Sequence, residues 1–117
     1  MEKTLTIDGK NVNFRCTGGT LRRYRNQFNS EFLADLAALR GAADGAGSVN
    51  FAVIENMIWV LAKTADPTLP DPLAWYDSFD EFNTTAVWSD LTALVEQACK
   101  SLVKNAGGAA AATMTAP

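Results

Sequence analysis

Arg22, Arg23 and Arg25 fall within one helical turn with Tyr24 among them. Planar guanidinium groups beside an aromatic ring are the parts that grip phosphate oxygens and stack a base. The rest of the chain opposes that chemistry. Asp and Glu number 13 against 10 Lys and Arg, leaving a net charge of -3, whereas attraction to nucleic acid needs a basic surplus. Tyr24 also shares core spacing with Leu21 and Phe28, which turns its ring inward. The arginines therefore read as a solvated helix face or as a patch for an acidic protein partner.

Asp77, Asp80 and Glu81 form the densest acidic cluster, and neighbouring carboxylates can hold a hard cation or share a proton. A calcium loop alternates its ligands around a central glycine. The run D-S-F-D-E-F-N interrupts that spacing with aromatics and reads as a polar loop with Phe79 and Phe82 turned inward. Cys16 and Cys99 lie far apart with no C-x-x-C spacing, so neither a zinc site nor a disulfide framework is indicated. Both read as reduced, partly buried fillers. The chain has no histidine, which removes Ser-His-Asp and Cys-His catalysis, and no glycine-rich phosphate loop. The expectation is a protein that is not an enzyme, with no catalytic, cofactor-binding or metal-ligating residues. It should act through surfaces.

Tryptophan is enriched where interfaces concentrate their energy, and this short chain carries Trp59, Trp75 and Trp88. Trp59 is expected in the core. Trp75 and Trp88 lie on shorter or amphipathic elements beside polar neighbours, and one of them is expected at the surface for a partner helix. The candidate partner-binding set is thus Arg22, Arg23, Arg25, Trp75 and Trp88.

These side chains must be positioned by one small domain. At 117 residues and 48% hydrophobic composition the chain can bury a core but not divide into two ordinary domains. Thr4–Ile7 and Val12–Cys16 alternate in character around Asp8-Gly9-Lys10-Asn11, whose residues tolerate a left-handed backbone. A β-hairpin over about 3–16 follows, with Leu5, Ile7, Val12, Phe14 and Cys16 on the face that helices must cover. Its unpaired edges are free to accept another strand. Thr20 is the expected cap of a helix burying Leu21, Tyr24 and Phe28, and Asn29-Ser30 the cap of a second holding Phe32, Leu33, Leu36 and Leu39.

Gly41–Ser48 reads as a flexible connector. Ser48 or Asn50 then caps a helix with a wide stripe of Phe51, Ile54, Met57, Ile58 and Leu61, broadened by Val53 and Val60, which is expected to be the central one. Prolines after Asp66 end it, and Asp71 with Pro72 starts another carrying Trp75, Tyr76 and Phe79. Apolar positions from Val87 to Leu102 define a last amphipathic helix over about 83–102, with Glu96 and Lys100 paired along its outside. Beyond Asn105 alanine and glycine dominate without an apolar pattern, so 105–117 is expected to be a flexible tail. The fold class is α+β, mainly α: a single domain over 1–104, a hairpin and then about four to five helices in a small bundle over 20–104. No run is long and apolar enough for a signal peptide or a membrane span, and a cytosolic protein is expected.

The order of elements adds a resemblance. A hairpin, then T-L-R-R-Y-R-N-Q-F-N-S-E-F-L-A-D-L, then I-E-N-M-I-W-V-L-A-K-T-A-D-P, then L-A-W-Y-D-S-F and a closing amphipathic helix resemble the tail assembly chaperones of long-tailed bacteriophages and related prophages. The likeness covers roughly Met1 to Lys104 and rests on the Y-R-x-x-F helix and the A-K-x-A-D-P helix. It implies a non-enzymatic assembly factor in the host bacterial cytoplasm that binds the tape-measure protein, helps gather tail-tube subunits around it and is absent from the mature virion. It also implies a frameshift junction near the Ala- and Gly-rich tail, this chain being the short product.

The residues suggest how such a factor would work. A helix-rich chain can coat amphipathic segments and hide apolar surface that otherwise aggregates. Release requires modest contacts multiplied over several copies, for which the hairpin edge and the basic first third facing an acidic second half suit self-association. Two other classes remain open from the residues: a small nucleic-acid-associated regulator using the Arg22/Arg23/Arg25 helix, and a structural virion connector.

Overall fold

A computed structural model of the chain describes the backbone of residues 1–41 and 50–115, and side chains through Lys100. It is an α+β fold, mainly helical. An N-terminal antiparallel hairpin, β1 (Glu2–Ile7) and β2 (Lys10–Arg15), is followed by α1 (Gly18–Phe28), α2 (Phe32–Gly41), α3 (Phe51–Ala65), α4 (Pro72–Asp77) and α5 (Thr84–Thr115).

Asp8 and Gly9 both adopt left-handed backbone, φ 52° and 73°, so two residues suffice for the turn and Ile7 pairs directly with Lys10. Such a turn matches the right-handed twist of the strands. The turn is shorter than expected, because Lys10 and Asn11 belong to β2. One hairpin face carries Ile7 and Phe14 into the core, with Leu5 and Val12 packed at its margin and Cys16 buried just after β2. The other face is a polar ladder in which Thr4 bonds Asn13 at 2.7 Å, Thr6 bonds Asn11 at 3.1 Å and Arg15 lies 3.5 Å from Glu2. Cross-strand pairs of this kind hold register.

α3 is the central helix, as its stripe suggests. Every residue from Met57 to Ala62 is buried, and β2, α1, α4 and α5 pack against it. Asn50 caps it by accepting from the Ala52 and Val53 amides at 3.0 and 3.4 Å. Phe51 leaves the expected stripe and is exposed, since it sits in the first turn before α3 enters the core. The alternative cap Ser48 and most of the expected connector lie outside the described residues.

The α1 start also differs from expectation. Thr17 is the N-cap, and Thr20 stands at the third helical position with its hydroxyl accepting the Thr17 N–H at 2.9 Å. Thr20 then donates to the Thr64 hydroxyl at 3.0 Å, and Thr64 donates to the Val60 carbonyl at 2.8 Å. This relay satisfies both of these buried hydroxyls and stitches α1 to α3. Asn29 closes α1 in the left-handed region, its N–H returning to the Arg25 carbonyl, and so is a C-cap instead of the cap of α2.

α5 is longer than the expected last helix, its backbone running to Thr115 because alanine sustains a helix without an anchoring stripe. Side chains beyond Lys100, and residues 116–117 of the expected tail, lie outside what is described.

Candidate functional site

α2 turns Phe32, Leu36 and Leu39 inward, but Leu33 leaves the expected core face and remains 40% exposed. The cause is the placement of α5, which approaches α2 without closing on it. Between the two helices the described residues form an open groove of about 880 Å3, with Leu33, Leu36 and Ala37 on one wall and Glu96, Cys99 and Lys100 on the other. A recess of about 190 Å3 continues it toward half-buried Trp88, sharing Leu36, Arg40 and Glu96 with the main groove. Arg40 spans the gap, its Nη2 3.8 Å from Glu96 Oε1. That exposed pair replaces the Glu96–Lys100 pairing expected along α5, and at this separation it holds the walls together weakly.

The arginine helix is a different surface. Arg22 is exposed, Arg23 lies over Gly19 with its Nη1 3.0 Å from where a β-carbon there would stand, and Arg25 forks onto Glu31 at 2.8 and 3.0 Å. They do not converge on one point. Tyr24 is fully buried, edge-on to Phe32, and its hydroxyl donates to Asp35 Oδ2 at 2.7 Å, so no base can stack on it. The base-gripping arrangement is therefore not assembled.

Trp75 is 6% exposed, packed edge-to-face with Phe79 and Phe82, and so withdraws from the surface set. Tyr76 ties this aromatic cluster to α3 by donating to the Glu55 carbonyl. Trp59 is buried as expected, its indole N–H held by the Pro70 carbonyl at 3.0 Å. Of the candidate tryptophans only Trp88 borders the groove. Leu33, Ala37 and Cys99 are among the residues that line it, and sequence reasoning singled out none of its lining as site residues; the only signal was an α2 whose apolar positions outnumber those one face can bury.

Asp77, Asp80 and Glu81 assemble no metal-binding group among the described residues. Instead the Asp80 amide donates to Asp8 Oδ2 at 3.0 Å, and Lys10 Nζ reaches the Ser78 carbonyl at 2.7 Å and stands over the Phe79 ring. The hairpin tip is thereby fastened to the segment between α4 and α5. No described helix is long and apolar enough to cross a membrane.

Cys16 and Cys99 are free and buried. Burial, then the nearby Cys99, pushes the Cys16 thiol from its ordinary 9 up to about 11. Burial raises the Tyr24 hydroxyl, with Asp35 adding to it, and burial raises Tyr76. Below the ordinary thiol value both folded and unfolded chains keep these protons; above it the unfolded chain releases them first. Stability should therefore be flat across the range where histidine would titrate and fall as pH rises from 9 toward 11, by about 2 kcal/mol from Cys16 alone. Urea unfolding at pH 8 and pH 10.5 checks this: equal midpoints would refute it, and Cys16→Val should remove part of the slope.

Comparison with protein-family models, with curated proteins and with solved structures found no match.

Proposed function

We propose that this chain is a tail assembly chaperone of the long-tailed phage type, which shelters amphipathic helical segments of a tape-measure protein and helps tail-tube subunits gather around it. The reading is carried by one observation: an open groove between α2 and α5, apolar on its α2 wall, that leaves Leu33 exposed where a closed bundle would bury it. The succession of the hairpin, the Y-R-x-x-F helix and the A-K-x-A-D-P helix supports it. A groove bounded by two helices accepts a third by the usual interdigitation of side-chain ridges, at axis separations of about 8–10 Å. Arg40, Glu96 and Lys100 at its margin suit a segment with mixed charge on its flanks.

Contact along one such groove is small, so each copy binds weakly, and a long tape measure is covered by many copies at once. Weak individual binding is what release requires. The work is done in the host cytoplasm before the particle is finished, and no reacting group takes part in it.

Coexpression tests the proposal. A tape-measure protein that aggregates alone should become soluble with this chain and copurify with it, while purified particles should lack the chain. A tape measure soluble without it and never copurifying would refute the chaperone reading, and the chain's presence in finished particles would favour a connector.

A further inference from the structure

We propose that the free edge of β1 is a docking site for an extended, lysine- or arginine-bearing segment of another polypeptide, which would add a third strand to the hairpin. Among the described residues the sheet has two strands. Because the turn contains two residues, Ile7 and Lys10 are a hydrogen-bonded pair, and the alternation of an antiparallel ladder makes Leu5–Val12 and Lys3–Phe14 such pairs too. The backbone groups of Thr4 and Thr6 consequently point away from β2. Among the described residues no backbone bond from another element reaches them. An unpaired edge of this kind is a template for a further strand.

The edge opens into a groove of about 230 Å3 with Leu5, Ile7 and Val87 in its wall and Asp8, Glu81 and Asp90 around it. Among the described residues no Lys or Arg lines it. The ion pairs of the described residues use Glu2, Glu31 and Glu96, so these three carboxylates are spent on none of them. Asp8 comes from the hairpin turn, Glu81 from the α4–α5 segment and Asp90 from α5, and the Asp80 amide holds Asp8 in place. Three elements thus bring like charges to one strand edge, an arrangement that a cationic segment would relieve.

The opposite edge lacks this character. Beside β2 the corresponding hollow is lined by both Lys10 and Asp66, and Lys10 is already engaged with Ser78. β1 is also well prepared as a template, since the Thr4–Asn13 and Thr6–Asn11 bonds on the solvent face fix its register before anything binds. The inference rests on the strand edge and not on the α2–α5 groove, so either site can fail without the other.

The test uses the full chain and a capped octapeptide alternating lysine with valine, followed by amide NMR. Binding should shift the Thr4 and Thr6 amides and slow their hydrogen exchange. Affinity should fall roughly ten-fold between 50 and 500 mM salt, as expected when exposed charges are screened. The double variant Glu81→Gln, Asp90→Asn should weaken binding by about ten-fold with unchanged amide dispersion, and an alternating glutamate–valine peptide should not bind. No peptide binding at millimolar concentration, equal binding by the double variant, or shifts confined to the α2–α5 groove would overturn the proposal. Concentration-dependent protection of Thr4 and Thr6 without peptide would overturn it in favour of pairing between copies of this chain.

Discussion

Phe14→Ala is expected to destabilise the domain by about 4 kcal/mol, the cost of deleting a buried aromatic ring and leaving a cavity. Phe14 has no exposed surface, and β2, which carries it, packs directly on the central helix α3. A two-stranded ribbon has little stability of its own, so the ring that fastens it to α3 carries more than its area suggests. Domains of this size hold only about 5–15 kcal/mol, and the melting temperature should drop by roughly 15 °C. Leu73→Ala is the control, because Leu73 stands 75% exposed and its loss should move stability by under about 0.5 kcal/mol. Calorimetry of the two variants decides the matter; similar melting points would mean that the hairpin is not anchored through Phe14.

Leu33→Glu should have the opposite profile: stability close to that of the parent, and partner binding reduced by about a hundred-fold or more. The side chain is 40% exposed on the groove wall, so a carboxylate there stays hydrated in the free protein. Once an apolar helix face covers the groove the same carboxylate is buried without a partner, which costs several kcal/mol. Ala37→Glu should act alike from the next turn of α2. Arg22→Glu should leave binding intact, because Arg22 does not line the groove. The readout is recovery of tape measure in pull-downs from coexpressing cells, with urea midpoints confirming that each variant is folded. Full recovery with Leu33→Glu would remove the groove from the account.

Much of the fold was legible because local rules and tertiary packing agree. Asp8-Gly9 between alternating strands specifies its own turn, and the stripe from Ile54 to Leu61 is wide enough that α3 must be surrounded. The site was less legible, since periodicity states which side chains share a face but not what covers that face. Leu33 and Phe51 satisfy the helical pattern and still emerge, one because α5 stands off from α2 and the other because α3 has not yet reached the core. Trp75 sits among polar neighbours in sequence, yet Phe79 and Phe82 fold over it. Pairings across helix breaks were equally hidden. Arg25 meets Glu31 only because Asn29 reverses the chain, and Asp8 meets Asp80 only because the hairpin tip packs against the segment between α4 and α5.

Occupancy of the α2–α5 groove can be read at Cys99, which is 7% exposed and lines its wall, with the neighbouring Cys16, 4% exposed and not part of that lining, as the internal reference. In the complex copurified from coexpressing cells, alkylation followed by mass spectrometry should show Cys99 reacting at least about ten-fold more slowly than in the free chain, because modification then requires the partner to leave. Cys16 should react at a similar slow rate in both. Equal Cys99 rates in the free chain and in an intact complex would contradict the account, for they would show the tape measure held somewhere other than between these two helices.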